Sequence, residues 1–206
     1  MNRHVPLMSD DQILNQFLTP NMYVYFRAKM PHLAPDVLKC RIVELAKYLI
    51  MAPQFPGNIL FGLEMDDLWH FWVMQTREYA HFCKSLPGGT FRNHDSNDHP
   101  EHKVSWEEAE AVALATIAAK AQKAAGQKPP AAEIDKEKAE QHTKRVLSFF
   151  ASYVSNFGPM KPEAVENWPP VVRMMRRMDW SLDEFNSFML AQGKSEKVSN
   201  PELATA

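Results

Sequence analysis

Apolar residues along this chain recur mostly three and four positions apart, the spacing that lines one side of a helix. "SDDQILNQFL" opens with Ser9 and Gln12 in capping-box register, where each side chain satisfies a backbone N–H of the first turn. After Pro20, "NMYVYFRAKM" alternates its aromatics and reads as either strand or helix. "PDVLKCRIVELAKYLIMA" starts with a proline suited to a first turn, and Val37, Leu38, Ile42, Leu45 and Leu49 follow at helical spacing. Pro53, Pro56 and Gly57 end it. A central helix is predicted from Glu64 to Lys84, stopped by Pro87, Gly88 and Gly89.

Beyond a histidine-rich loop, "SWEEAEAVALATIAAKAQKAAG" begins with a second capping box, Ser105 and Glu108, and Gly126 is placed to end its alanine-rich helix. "GQKPPAA" is a helix-breaking linker inside what becomes a long charged helical hairpin, with the linker at 124–132. The next helix is charged at its start and apolar from Val146 onward. "VVRMMRRM" is short and basic, and Ser181 with Glu184 caps a last helix, "LDEFNSFMLAQ". Residues 193–206 are poor in large apolar side chains and read as a disordered tail. No internal repeat is visible. The pattern predicts an all-α protein, one irregular helical bundle spanning 1–192.

Composition narrows this picture only where it excludes something. At 206 residues, 45% of them hydrophobic, the chain is long enough for one sizeable core. Seven glycines against fifteen prolines suit helices separated by hard stops. A net charge of −2 gives no footprint for nucleic acid. No apolar run approaches the roughly 20 residues of a membrane span, and the first residues hold no signal-peptide core. Cys40 and Cys83 lie far apart without CxxC spacing, so a reducing, cytoplasmic setting is the simpler reading, with a disulfide as the alternative. Oligomeric state is not legible.

Candidate chemistry concentrates in the central helix. At about 100° per residue, Asp66, Met74, Arg77 and His81 fall within about 40° of His70. The aromatic residues cover the opposite side. Cys83 lies about 140° from His70, so it and Tyr79 read as core rather than as partners in one metal site. Asp66 and His70, one turn apart, can share a proton or ligate one ion, although such a pair on a polar face is often simply solvated. The loop "FRNHDSNDHPEH" adds His94, Asp95, Asp98, His99 and His102. Imidazole with carboxylate suits zinc, iron or manganese, but a polar loop has the same composition, and no HExxH occurs. There is no P-loop, GxGxxG or GxSxG. Arg173, Arg176 and Arg177 read as a solvated face with methionine beneath, or as an anion-binding patch. Trp168 before two prolines reads as a structural plug.

Met65-Asp66, Trp69-His70, Thr76-Arg77 with Tyr79, Phe82-Cys83, Gly89 and His94 together form a pattern, echoed by "YVSNFG…NWP" from Tyr153 to Pro169. In these residues the chain resembles the glycine-rich-domain-containing-protein-like family, in its short bacterial form without the glycine-rich region. It departs from that pattern after the turn: a His-His pair closely followed by proline is expected, whereas Asn93 precedes His94 and the next proline is Pro100. The resemblance implies that Asp66, His70, Arg77 and His94 are a polar cluster lining a cleft or buried. It implies no named reaction.

Two functions emerge as expectations. In the first, the chain is a small metal-dependent enzyme: Asp66, His70, His94 and His99 hold a divalent Zn, Fe or Mn ion that activates water or dioxygen, Arg77 pairs with an anionic substrate, and His81 assists as a base. In the second, it is a non-catalytic interaction module, with Asp66, His70 and Arg77 as a structural network and the charged hairpin as the surface for a protein partner. The substrate or partner is a small molecule or a protein; neither nucleic acid nor membrane is expected.

Overall fold

The computed structural model describes residues 8–55, 61–86, 88–93 and 136–199, with backbone alone for 136–142 and 194–199. Side-chain caps and prolines start its helices where the sequence places them. Ser9 Oγ accepts from Gln12 N at 3.3 Å while Ser9 N donates to Gln12 Oε1 at 2.7 Å, opening α1 (Asp10–Phe17). Thr19 Oγ1 accepts from Met22 N and Pro20 occupies the first turn of α2 (Pro20–Lys29), which resolves that ambiguous aromatic stretch as helix. Pro35 likewise starts α3 (Pro35–Met51), followed by a single 3₁₀ turn at Ala52–Gln54.

The predicted continuous central helix is broken. It forms α4 (Leu63–Met74) and α5 (Thr76–Ser85), with Gln75 at φ −89°, ψ 64° between them. The aromatic side chains account for the break. In a straight helix Trp69 and Tyr79 stand about 15 Å apart along the axis, yet here the Trp69 indole N–H meets the Tyr79 hydroxyl at 2.8 Å. The same bend stacks Trp72 on Phe82, with ring centroids 4.2 Å apart.

The remaining described helices are α6 (Lys136–Phe157), α7 (Pro162–Val165), α8 (Pro169–Met178) and α9 (Leu182–Ser199), so every regular element among the described residues is helical. The all-α expectation holds. None of these helices is long and apolar enough to cross a membrane. α9, with the Ser181–Glu184 cap at its start, continues beyond residue 192, where the domain was expected to end. Gly193 allows that: a Cβ there would stand 2.5 Å from Ser155 Oγ and 3.3 Å from the Ala151 carbonyl on α6.

The chain divides into two compact units, Met1–His94 with Thr143–Ala206, and Asp95–His142. In the first, α3 is buried on nearly all sides from Arg41 to Met51, as expected of a helix at the centre of a bundle. Trp168 is fully buried beside Phe149, Phe150 and Tyr153 of α6, at centroid distances of 5.5, 5.4 and 6.1 Å. Among the side chains described on α6, from Thr143 on, Val146 is the first buried one. Of the second unit only the start of α6 is described, so the Ser105 capping box, the 124–132 linker and the surface proposed for a protein partner lie outside the described residues.

Candidate functional site

The α4–α5 break decides which residues of the expected polar stripe stay together. Asp66 and His70 remain one turn apart on α4, with side chains 36% and 44% exposed and Asp66 Oδ2 3.4 Å from His70 Nδ1. Nδ1 also lies 2.8 Å from the Asp66 carbonyl oxygen. A carbonyl can only accept, so Nδ1 carries a proton. The Asp66 carboxylate therefore sits on the donor side of the ring, the position of a group that orients an imidazole rather than one that shares an ion with Nε2. Arg77 and His81 lie past the break on α5 and are exposed, so no continuous helix carries them in one stripe with Asp66 and His70. The bend that joins Trp69 to Tyr79 is the reason.

Residues 91–93 are tied to the inner side of this helix pair. The Tyr79 hydroxyl donates to the Arg92 carbonyl at 2.7 Å, Arg92 N donates to Cys83 Sγ at 3.5 Å, and Arg92 Nε donates to the Leu49 carbonyl at 3.4 Å. Burial pushes the Tyr79 hydroxyl well above its ordinary pKa, so it stays protonated and donating. Cys83 is buried and free, as expected of a core cysteine. His94 and His99 fall outside the described residues. Among the described residues, no group of three His, Cys, Asp or Glu side chains is placed to hold a metal ion.

A second polar centre, along α3, was not anticipated. Glu44 (1% exposed) accepts from Lys47 Nζ at 2.8 Å, from the Tyr153 hydroxyl at 2.9 Å and from Trp168 Nε1 at 2.7 Å. Lys47 (4% exposed) also reaches Asp10 Oδ1 at 2.9 Å and the Tyr153 hydroxyl at 3.0 Å. Asp10 in turn binds Lys161 Nζ at 2.6 Å. One turn before Glu44, Arg41 is ion-paired through Nη2 with Glu64 on α4, while its buried Nη1 has no hydrogen-bond partner among the described residues.

Of these groups, Asp10, Arg41, Glu44, Lys47 and Lys161 line a cleft of about 590 Å³ between α1, α3 and residues 161–167, a volume usual for small-molecule sites. Burial alone lowers the Lys47 pKa, but Glu44 and Asp10 outweigh it and raise the ammonium above its ordinary range. Burial and then Glu44 raise Tyr153 well above its usual value. Burial and Glu44 push the Cys40 thiol up to about 12. None of Lys47, Tyr153 and Cys40 is thereby set to exchange a proton or attack near neutral pH. The arginines of α8 (Arg173, Arg176, Arg177) are exposed, with Met174 and Met175 packed on the core beneath them.

The fold and its two polar centres thus define an all-α domain with a half-exposed Asp–His pair and a charged cleft. Compared with protein-family models, with curated proteins and with solved structures, the chain gives no match.

Proposed function

We propose that the chain is a metal-dependent domain related to the glycine-rich-domain-containing-protein-like family, with the Asp66–His70 pair as the fixed half of its ion site. The orientation of His70 carries this reading. Its Nδ1 is committed to the Asp66 carbonyl and lies beside the Asp66 carboxylate, the outer support typical of a metal-ligating imidazole. Nε2 then takes the ligand role, and Asp66 serves as the orienting group. His94 supplies the second ligand, two residues beyond an Arg92 that Tyr79 and Cys83 tie to the helix pair. His99 is the candidate third. A divalent zinc, iron or manganese ion held there would activate water or dioxygen. Exposed Arg77 is available to an anionic substrate, and His81 to a proton transfer near the rim.

The test is metal content in protein purified without an affinity tag, beside His70→Ala and His94→Ala. Near-stoichiometric metal in the parent, lost in both variants, supports the site. Trace metal in all three samples, or equal metal in all three, refutes it. A second reading, a non-catalytic cytoplasmic interaction module, draws on the saturated Glu44–Lys47 network, whose charges are neutralised within the fold. Under that reading His70→Ala removes partner binding with no dependence on metal.

A further inference from the structure

The outward face of α4 carries large apolar side chains where a surface helix is ordinarily polar. Eight of its twelve residues are apolar, and of these only Met65, Leu68, Trp69 and Trp72 are buried in the chain's own core. Leu63 and Met74 are 83% and 73% exposed, more than any other large apolar side chain among the described residues. They belong to one line. Leu63, Asp67, His70 and Met74 follow at intervals of four, three and four, the seam spacing of a coiled coil. At about 100° per residue the four lie within about 60° of arc. Asp67 is exposed and makes no ion pair among the described residues, and the His70 side chain is 44% exposed. The residues that flank the seam, Glu64, Asp66, Phe71 and Val73, are each half-buried.

The order along this seam is self-complementary. Two copies of α4, antiparallel about a twofold axis midway between Leu68 and Trp69, set Leu63 opposite Met74 of the second copy and Asp67 opposite its His70. Apolar then meets apolar in the two outer layers, and acid meets imidazole in the two inner ones. A parallel pair would face the two Asp67 carboxylates against each other, which like charge disfavours.

We propose that the outward face of α4 is an interface between two copies of this chain, joined as a short antiparallel helix pair with Asp67–His70 contacts at its centre. Four layers are few, so the association is weak and reversible, at the small end of specific interfaces. It needs no bound ion and does not rest on the metal reading.

Sedimentation velocity of the full chain in EDTA, over about a hundredfold range of concentration, reads the monomer–dimer equilibrium. Dimer should grow with concentration in the parent. Leu63→Ser/Met74→Ser, which alters exposed positions and leaves the core intact, should weaken association at least tenfold, and Asp67→Lys should do the same. Register is read by cross-linking in a Cys40→Ser background. Oxidation of Leu63→Cys mixed with Met74→Cys should join the two proteins, while neither should join to itself. Like positions stand about 16 Å apart along the antiparallel axis, and a disulfide needs Cα atoms within about 7 Å. A chain that is monomeric at every concentration overturns the proposal. So does a dimer indifferent to Leu63→Ser/Met74→Ser or to Asp67→Lys, or one that cross-links through either cysteine alone. A dimer that forms only when metal is added also overturns it. The metal reading falls on metal content and this one on association without metal, so the two fail separately.

Discussion

Removing the Glu44 carboxylate is the sharpest perturbation this fold offers. Glu44→Leu preserves volume and helix propensity but strands a nearly buried ammonium, a phenol O–H and an indole N–H. Breaking a buried ion pair by deleting one partner costs about 3–5 kcal/mol, and each neutral donor left unmet adds about 1–3 kcal/mol. Lys47 keeps Asp10 at 2.9 Å, which relieves part of this. The expected loss is therefore about 4 kcal/mol, read as a Tm lowered by roughly 8–16 °C for a chain of this length. Glu44→Gln retains the shape and one acceptor oxygen, so its loss should be nearer 1.5–3 kcal/mol, the range for hydrogen bonds to a charged group. In Glu44→Leu/Lys47→Met both charges are gone and the losses should be strongly non-additive, with the double variant more stable than Glu44→Leu alone. Urea unfolding followed by tryptophan fluorescence is a suitable assay, because Trp168 itself belongs to the network. A Glu44→Leu loss below about 1 kcal/mol, or simple additivity in the double variant, would show that the network is not what holds α3, α6 and Trp168 together.

Two further perturbations probe the rest of the architecture. Tyr79→Phe removes the link between Trp69 and the Arg92 carbonyl, and should cost about 1–3 kcal/mol and speed amide exchange at residues 91–93; unchanged exchange there would show that Tyr79 does not anchor the segment. On the acid side, burial raises the Asp10 carboxyl but Lys161 and Lys47 together hold it below its ordinary value of 3.8. Its stabilisation is therefore present above about pH 4 and lost as pH falls through the lower folded value. The Lys47 ammonium is raised above 10.5, so its share is complete at neutral pH and is lost only as pH rises through that higher value. Urea midpoints should be nearly flat from roughly pH 5 to 9 and fall on both sides, and Asp10→Asn should flatten the acid limb; an acid limb unchanged in Asp10→Asn would sink the assignment.

Helix existence was legible because caps and prolines are local. Ser9–Gln12, Pro35 and Ser181–Glu184 all act within one turn of chain, and each starts a helix where the sequence places it. The break at Gln75 was not legible, since no proline or glycine marks it. It is set by contacts ten residues apart, Trp69 with Tyr79 and Trp72 with Phe82, which only tertiary packing creates. An angular wheel therefore holds for Asp66 with His70 on α4, but cannot be carried through Gln75 to Arg77 and His81 on α5. The Glu44 network had a faint signal. Arg41, Glu44 and Lys47 recur every third position inside an otherwise apolar run, and charges spaced to one face of a buried helix need partners. Those partners, Asp10, Tyr153 and Trp168, are remote in sequence, so the pattern announced a buried face without saying what met it.

Side chains of the α4–α5 segment do two different jobs. Trp69, Tyr79 and Cys83 point inward: the indole meets the phenol, the phenol meets the Arg92 carbonyl, and the thiol accepts from the Arg92 amide. Each of those side chains is at most 6% exposed, and together they fix the backbone two residues before His94. His70 and Asp66, the more exposed members, make a contact with each other on α4. Apolar packing would be served as well by phenylalanine at 69 and 79. The indole N–H and phenol O–H instead build a hydrogen-bonded bracket that holds this short segment. The second residue past Arg92 is His94. That asymmetry, rather than the mere abundance of histidine, is the physical reason to look for a ligand where His70 presents its ring.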